Sequence, residues 1–193
     1  MTTSLNRIPF WFLRHGETDW NAEGRSQGRT DIPLNTIGVA QAARAAQAMV
    51  GRDVATIVAS PLGRALKTAE AVALALHLPI ETDDDLMEVA FGTEEGKVMG
   101  DWYDDWIAGT FTPEGAETFA GLGARAVAAV NRATAKRGPV LIVAHGALFR
   151  ALRGALGHKP NVRTPNALPI WCTPPAEGVV WDILPVELPP LGA

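Results

Sequence analysis

The sequence predicts an α/β fold: a three-layer α/β/α sandwich around a mostly parallel central sheet. Short apolar runs recur at residues 8–13, Val54–Ala59 and Pro139–Ala144, apolar at consecutive positions as in strands covered on both faces. Between them lie segments whose apolar residues recur at helical spacing. Strands and helices alternate with no internal repeat and no linker-like composition, so residues 1–193 read as a single domain.

The first strand, residues 8–13, runs into a loop rich in Gly, Asn and Asp that continues through Pro33. Thr36 is placed to cap a helix reaching about residue 50, with Val39, Ala42, Ala43, Ala46 and Met49 on one face. After the strand Val54–Ala59, Ser60 is the expected cap of a helix with Pro61 at its first position, where a missing N–H costs least. That helix runs to about His77, and Pro79–Thr82 is a short strand. Residues 83–115 are the least regular, with an acidic run, glycines and the aromatic segment Asp101-Trp102-Tyr103-Asp104-Asp105-Trp106. A helix over about 116–137 carries Phe119, Leu122, Ala126, Ala129 and Ala133 at helical spacing. The strand Pro139–Ala144 is followed by a helix over Gly146–Leu156. Two late strands, near 168–172 and 179–184, flank a Pro-rich turn, and the tail Leu188–Ala193 is expected to fray.

Composition narrows the function classes. A formal charge of −4 leaves no basic footprint for nucleic acid, so any affinity for anions must come from a local pocket. The single cysteine, Cys172, cannot form an internal disulfide, and in its apolar strand it reads as a buried, inert thiol. The apolar N-terminal run is short, interrupted by Pro9 and lacks a cleavage site, and no stretch reaches membrane-spanning length. The expectation is a cytoplasmic protein with no membrane partner. The late strands and Pro-rich tail leave room for a homodimer.

Three strand-to-helix junctions carry the chemistry. The first gives Arg14 and His15, followed by Gly16. The second, Ser60-Pro61-Leu62-Gly63-Arg64, puts Arg64 in a first helical turn whose free amides favour an anion. The third gives His145 at a strand end and Gly146 opening a helix. Strand ends are where open α/β sheets place ligands, so two arginines, two histidines and helix-start amides can converge on one tetrahedral dianion. Such a pocket needs no metal and no cofactor. His15, Glu17 and His145 lack the close pairing of a zinc site. Gly121-Leu122-Gly123-Ala124-Arg125-Ala126 fits a dinucleotide fingerprint by letter, but no strand precedes it. There is no Gly-x-Ser-x-Gly elbow and no Walker lysine motif.

The residues also point to a family. Arg14-His15-Gly16-Glu17-Thr18-Asp19-Trp20-Asn21, with Gly24-Arg25-Ser26-Gln27-Gly28 and Asp31-Ile32-Pro33-Leu34 behind it, resembles the histidine phosphatase (phosphoglycerate mutase-like) superfamily, of the broad-specificity phosphatase type. Ser60-Pro61-Leu62-Gly63-Arg64-Ala65 with Thr68-Ala69, then Leu86-Met87-Glu88 with Phe91-Gly92 and Glu95-Gly96, then Ala144-His145-Gly146, match the remaining blocks in order, so the resemblance covers about residues 8–157. It implies a metal-independent phosphomonoesterase. In that scheme His15 becomes a phosphohistidine, Arg14, Arg64 and His145 hold the phosphoryl oxygens, and Glu88 is the general acid and base. Asn21, Gln27, Gly28 and Gly146 are the expected substrate contacts, and the partner is a small phosphorylated metabolite.

Mutases of the superfamily have Glu-Arg-His-Tyr-Gly around the acid, whereas this chain reads Glu88-Val89-Ala90-Phe91-Gly92 and is shorter. With Asp101, Asp104 and Asp105 nearby, the sequence reads as repelling a highly anionic substrate and favours a phosphatase over a phosphoglycerate mutase or a non-catalytic phospholigand-binding protein. Glu94 stands where many members have tryptophan. Trp102 and Trp106 share a helical face and fit either a pocket roof or core packing. Arg150 reads as an ion-pair partner.

Overall fold

The computed structural model describes residues 4–188. The expected frayed tail therefore lies, beyond Leu188, outside the described residues. The chain runs β1 (Phe10–Arg14), α1 (Asp19–Ala22), α2 (Thr36–Met49), β2 (Thr56–Ala59), α3 (Gly63–Leu76), β3 (Ile80–Thr82), α4 (Trp102–Ala108), α5 (Phe119–Thr134), β4 (Val140–Ala144), α6 (Gly146–Ala155), β5 (Pro169–Thr173) and β6 (Asp182–Pro185). Two 3-10 turns, Asp84–Leu86 and Gly92–Glu94, punctuate the segment before α4.

The six strands form one sheet in the order β3-β2-β4-β1-β5-β6. β1, β2, β3 and β4 run parallel, while β5 and β6 add an antiparallel edge. Alternation within the strands builds the layers. Phe10, Phe12, Val58, Val140 and Ile142 face one way and pack with Leu122, Ala126, Val130, Leu148 and Leu152 of α5 and α6. Trp11, Leu13, Ile57, Leu141 and Val143 face the other way and meet Ala45, Met49, Ala69 and Val72 of α2 and α3. Hence β1 up to Leu13 and all of β4 are apolar at every position, and with Arg14 all ten residues are buried.

This arrangement fixes where a site can be. β1 and β4 are parallel neighbours, with Arg14 beside Ala144 at their carboxyl ends. The chain leaves β1 for α2 on one face and β4 for α6 on the other. A crevice opens where the two connections diverge, at a topological switch point.

Two local expectations are corrected. α2 buries Gly38, Ala42, Ala45, Ala46 and Met49, leaving Val39 and Ala43 exposed, and Asn35, not Thr36, caps it through Oδ1. The helix is rotated because Gly38 lies against the backbone of Glu17, where a Cβ would come within 2.0 Å of the Glu17 carbonyl oxygen. Gly16 is equally close, 2.4 Å from the Gly38 carbonyl oxygen by the same measure. Ser60 does not cap α3, which begins at Gly63 without a side-chain cap. Its hydroxyl instead pairs with His145. The face expected for α5 is the one it packs, with Leu122, Ala126, Ala129 and Ala133 buried.

The backbone contact between residues 16–17 and α2 sets the position of His15. Gly38→Ala should therefore destabilise the protein by about 2–3 kcal/mol, as overpacking does. Urea unfolding would read this directly, and wild-type stability would show that the contact is not a constraint.

Candidate active site

β1 delivers Arg14 and His15 to the crevice. The His15 amide donates to the Ala144 carbonyl at 3.0 Å, continuing the β1–β4 ladder by one residue. Its Nδ1 lies 2.7 Å from the Gly16 carbonyl oxygen. A carbonyl only accepts, so Nδ1 carries the proton and Nε2 keeps its lone pair. The Gly16 amide donates to Thr68 Oγ1 at 3.0 Å, and Thr68 donates to the Arg64 carbonyl at 2.8 Å, which locks the turn after His15 onto α3.

Both arginines are held by carbonyls. Arg14 Nη1 donates to Thr164 O at 2.7 Å. Arg64, fully buried, donates from Nη2 to Gly28 O at 2.7 Å and from Nη1 to Thr30 O at 2.9 Å, with the half-exposed Asp31 carboxylate 3.6 Å away. Gly28 can turn its carbonyl inward because it sits at φ +55°. Gly146 lets the Arg14 guanidinium lie against the start of α6: a Cβ there would sit 3.1 Å from Arg14 Nε. His145 is also fully buried, with Nε2 2.7 Å from Ser60 Oγ and its ring centroid 5.2 Å from that of His15. Arg14 Nε, Arg64 Nε and His145 Nδ1 are buried without a hydrogen-bond partner. Buried polar groups are nearly always paired, so three orphans in one place mark where an acceptor-rich ligand belongs.

Electrostatics point the same way. Burial, then the charges of Arg14 and Arg64, holds the His15 imidazole well below its ordinary value. His145 is lowered well below its usual value by burial, Arg64 and His15. Arg14 is itself lowered to about 10, chiefly by burial. The site thus combines neutral imidazoles with two cations whose hydrogen bonds go to main-chain carbonyls.

Glu88 arrives from the irregular segment. Leu86, Val89 and Phe91 anchor that segment in the core, leaving the Glu88 carboxylate turned to the start of α6. There it accepts from the amides of Ala147 at 2.9 Å and Leu148 at 3.0 Å, and from Val89 at 3.1 Å. Arg125 braces the same backbone, donating to the Asp85 and Met87 carbonyls, both at 2.7 Å, while paired to Glu117. Glu95 ties the two halves together. Its carboxylate accepts from the amides of Arg29, Thr30 and Phe91 and from Thr30 Oγ1.

The crevice is a cleft of about 220 Å³ lined by Arg14, His15, Asn21, Gln27, Gly28, Glu88 and Gly146, among others. Arg64 and His145, both fully buried, are not among its lining residues. Asn21 completes a capping box with Thr18 and accepts from Asn166 Nδ2 at 3.1 Å, and Gln27 donates to Thr18 Oγ1 at 3.0 Å. Trp102 and Trp106 do not line the cleft; Trp106 is core, donating to Glu117 O, and the cleft wall is Tyr103 and Phe91. Glu94 pairs with Lys97 outside it. The expected repulsion by acidic residues is also corrected: Asp101, Asp104 and Asp105 are exposed and absent from the lining, because α4 turns Tyr103 inward. Sequence reasoning missed Arg25, Tyr103, Arg150, Arg163 and Thr164. Arg150 had a signal, lying one turn along the helix from Gly146; Arg163 had none. Cys172 is buried in β5 with its thiol pushed up to about 12, as expected of an inert cysteine. Among the described residues, no helix is long and apolar enough to cross a membrane.

Two outcomes follow. His15 and His145 are depressed in the folded state, so the unfolded chain binds more protons below about pH 6.5. Stability should be full above that value and fall as pH drops toward the folded-state values, and His15→Asn with His145→Asn should flatten the fall. Melting curves in phosphate-free buffer between about pH 7.5 and 5 would show it; parallel curves for both proteins would contradict the buried neutral pair. Separately, Glu95→Ala should cost about 2–3 kcal/mol, because four donors lose a charged acceptor. Urea unfolding at neutral pH measures that loss, and no change would show that Glu95 is not a tie.

Comparison with known proteins agrees with this geometry. The profile of the histidine phosphatase superfamily (branch 1) matches residues 10–168. The uncharacterized phosphatase PhoE of Bacillus subtilis (strain 168) is 42% identical over 146 residues, covering 72% of each chain. A probable phosphoglycerate mutase GpmB of Yersinia pestis (strain Pestoides F) is 35% identical over 167 residues, covering 78% of this chain and 77% of the relative. A mycobacterial glucosyl-3-phosphoglycerate phosphatase, solved with VO3, superposes with a TM-score of 0.80 at 28% identity, covering 91% of this chain and 97% of that one. The chain belongs to the histidine phosphatase superfamily and is a phosphoric monoester hydrolase.

Proposed function

We propose that the protein hydrolyses a small phosphorylated metabolite without a metal, through a phosphohistidine on His15 Nε2. The observation that carries this reading is the Nδ1 contact with the Gly16 carbonyl, on a ring kept neutral by burial beside Arg14 and Arg64. Neutral imidazole with its second nitrogen free is the form a nucleophile needs.

In the first step Nε2 attacks phosphorus and the bond from phosphorus to the ester oxygen breaks. Glu88, protonated, gives its proton to the departing alkoxide. Charge on the transferring phosphoryl is met by Arg14, Arg64 and His145, whose unpartnered nitrogens are already in place, so little reorganisation is needed. In the second step water attacks phosphorus, its proton passes to Glu88, and the phosphorus–Nε2 bond breaks to give phosphate and free His15. Asn21, Gln27, Gly28 and Gly146 line the cleft and shape the phosphate end. The same apparatus is compatible with phosphate transfer between hydroxyls, which the GpmB likeness brings into question. Release to water is favoured by the segment after Glu88, where Val89 and Ala90 stand in place of the Arg and His that mutases of the superfamily carry.

Phosphorus NMR on a panel of phosphomonoesters in excess chelator tests the reading. Free phosphate should appear, His15→Ala should lower its rate at least about a thousandfold with the fold intact, and Glu88→Gln by about a hundredfold or more. Movement of phosphate from the 3- to the 2-position of phosphoglycerate without release would replace the reading with a mutase. Full activity of His15→Ala would end it.

A further inference from the structure

The cleft holds more positive charge than one phosphate ester uses. Its charged lining is Arg14, Arg25, Arg150, Arg163 and Glu88. Arg25 is already committed to Glu23 and the Gly96 carbonyl, and Glu88 to three amides. Arg14 belongs to the phosphate end. Arg150 and Arg163 remain, and neither forms an ion pair with a carboxylate among the described residues.

Arg150 is half-buried and held by an aromatic ring, and Arg163 is exposed on a segment whose backbone is held. Arg150 projects from α6, one turn beyond Gly146 and Ala147, and its guanidinium lies over the Tyr103 ring at 5.0 Å. The guanidinium also hydrogen-bonds the Tyr103 hydroxyl, which fixes its position and leaves its other donors for a ligand. Arg163 sits in the connection between α6 and β5, whose backbone is pinned to the site. Its neighbour Thr164 takes Arg14 Nη1, Asn166 Nδ2 donates to the His15 carbonyl at 3.0 Å, and the Ala167 amide donates to the Arg14 carbonyl at 3.0 Å. At the far end of that connection, Asn161 donates to Asp104 at 2.6 Å, tying it to α4. Both guanidiniums are near enough to Arg14 for their charge to act on it. In a chain with a net charge of −4, a concave wall of unpaired arginines is a local exception that a ligand must complete.

We propose that Arg150 and Arg163 form a subsite for a second anionic group, a carboxylate or a second phosphate, on the leaving-group side of the ester. The substrate class is then a small phosphomonoester of an acidic alcohol, its carbon frame against Phe91 and Tyr103. The cleft, about 220 Å³, is below the usual size for drug-like ligands and suits such a molecule. This assignment rests on the phosphatase reading for its catalytic consequence, but the subsite can be tested apart from turnover.

Two measurements do so. In the first, kcat/KM is compared for 3-phosphoglycerate, fructose 1,6-bisphosphate, glycerol 3-phosphate and phosphocholine. The acidic esters should exceed glycerol 3-phosphate by roughly tenfold or more, the worth of a charge-assisted contact. Preference for 3-phosphoglycerate alone identifies a carboxylate site, and preference for the bisphosphate alone a second phosphate site. Arg163→Gln and Arg150→Gln should collapse the ratio mainly through KM, and Arg163→Glu should shift preference toward phosphocholine. In the second, the same esters are titrated calorimetrically into His15→Ala protein, with folding checked by melting curves. Tighter binding of the acidic esters there, lost in the added Arg163→Gln change, supports the subsite even if no ester turns over. Turnover of all four esters with no acidic preference would overturn the subsite and leave the phosphatase reading standing. Equal binding of acidic and neutral esters to His15→Ala would overturn it whatever the turnover.

Discussion

Two buried guanidiniums held by main-chain carbonyls dominate this molecule. Arg14 and Arg64 are tied to Thr164, Gly28 and Thr30; the Asp31 carboxylate beside Arg64 is half-exposed and 3.6 Å away, and the charge of Glu88 acts on both arginines. Burying charge without a counterion is costly, on the order of several kcal/mol per ion even after relaxation. The carbonyls reduce that cost without cancelling the charge, as a carboxylate would. What remains is a fixed positive field with unpartnered nitrogens, which is the condition for binding a dianion and keeping neighbouring imidazoles neutral.

The rest of the fold can be understood as the support this arrangement needs. A sheet apolar on both faces supplies a rigid edge from which Arg14, His15 and His145 emerge side by side. The contact between Gly16 and Gly38 presses the turn after His15 onto α2, and Thr68 ties it to α3. Glu95 holds the carbonyls that hold Arg64 and, through Phe91, the segment bearing Glu88. The nucleophile, from the end of β1, and the acid, from the segment before α4, are thereby set within one small cleft.

The strands and the phosphate end were legible in the sequence because their signals are local. A run such as Phe10–Leu13, short and apolar at consecutive positions, reads as a doubly covered strand, and Arg14, His15, Arg64 and His145 announce themselves at strand-to-helix junctions. Signals failed where long-range packing overrode local preference. Ser60 has the chemistry of a cap, but His145 recruits its hydroxyl. Val39 fits the apolar period of α2, yet the approach to Glu17 rotates the helix and leaves Val39 exposed. The leaving-group wall was illegible because it is assembled from α4, α6 and the connection before β5. Three aspartates beside Tyr103 suggested an acidic mouth, whereas the helix turns them to solvent and brings arginines from elsewhere.

The central claim is that His15 Nε2 carries the phosphoryl group during turnover. Rapid quenching of the enzyme with a radiolabelled phosphoester, followed by peptide mapping, tests it most directly. An acid-labile, alkali-stable phosphoryl adduct is expected on the peptide containing His15. An adduct on another residue, or turnover with no covalent label at any quench time, would contradict it.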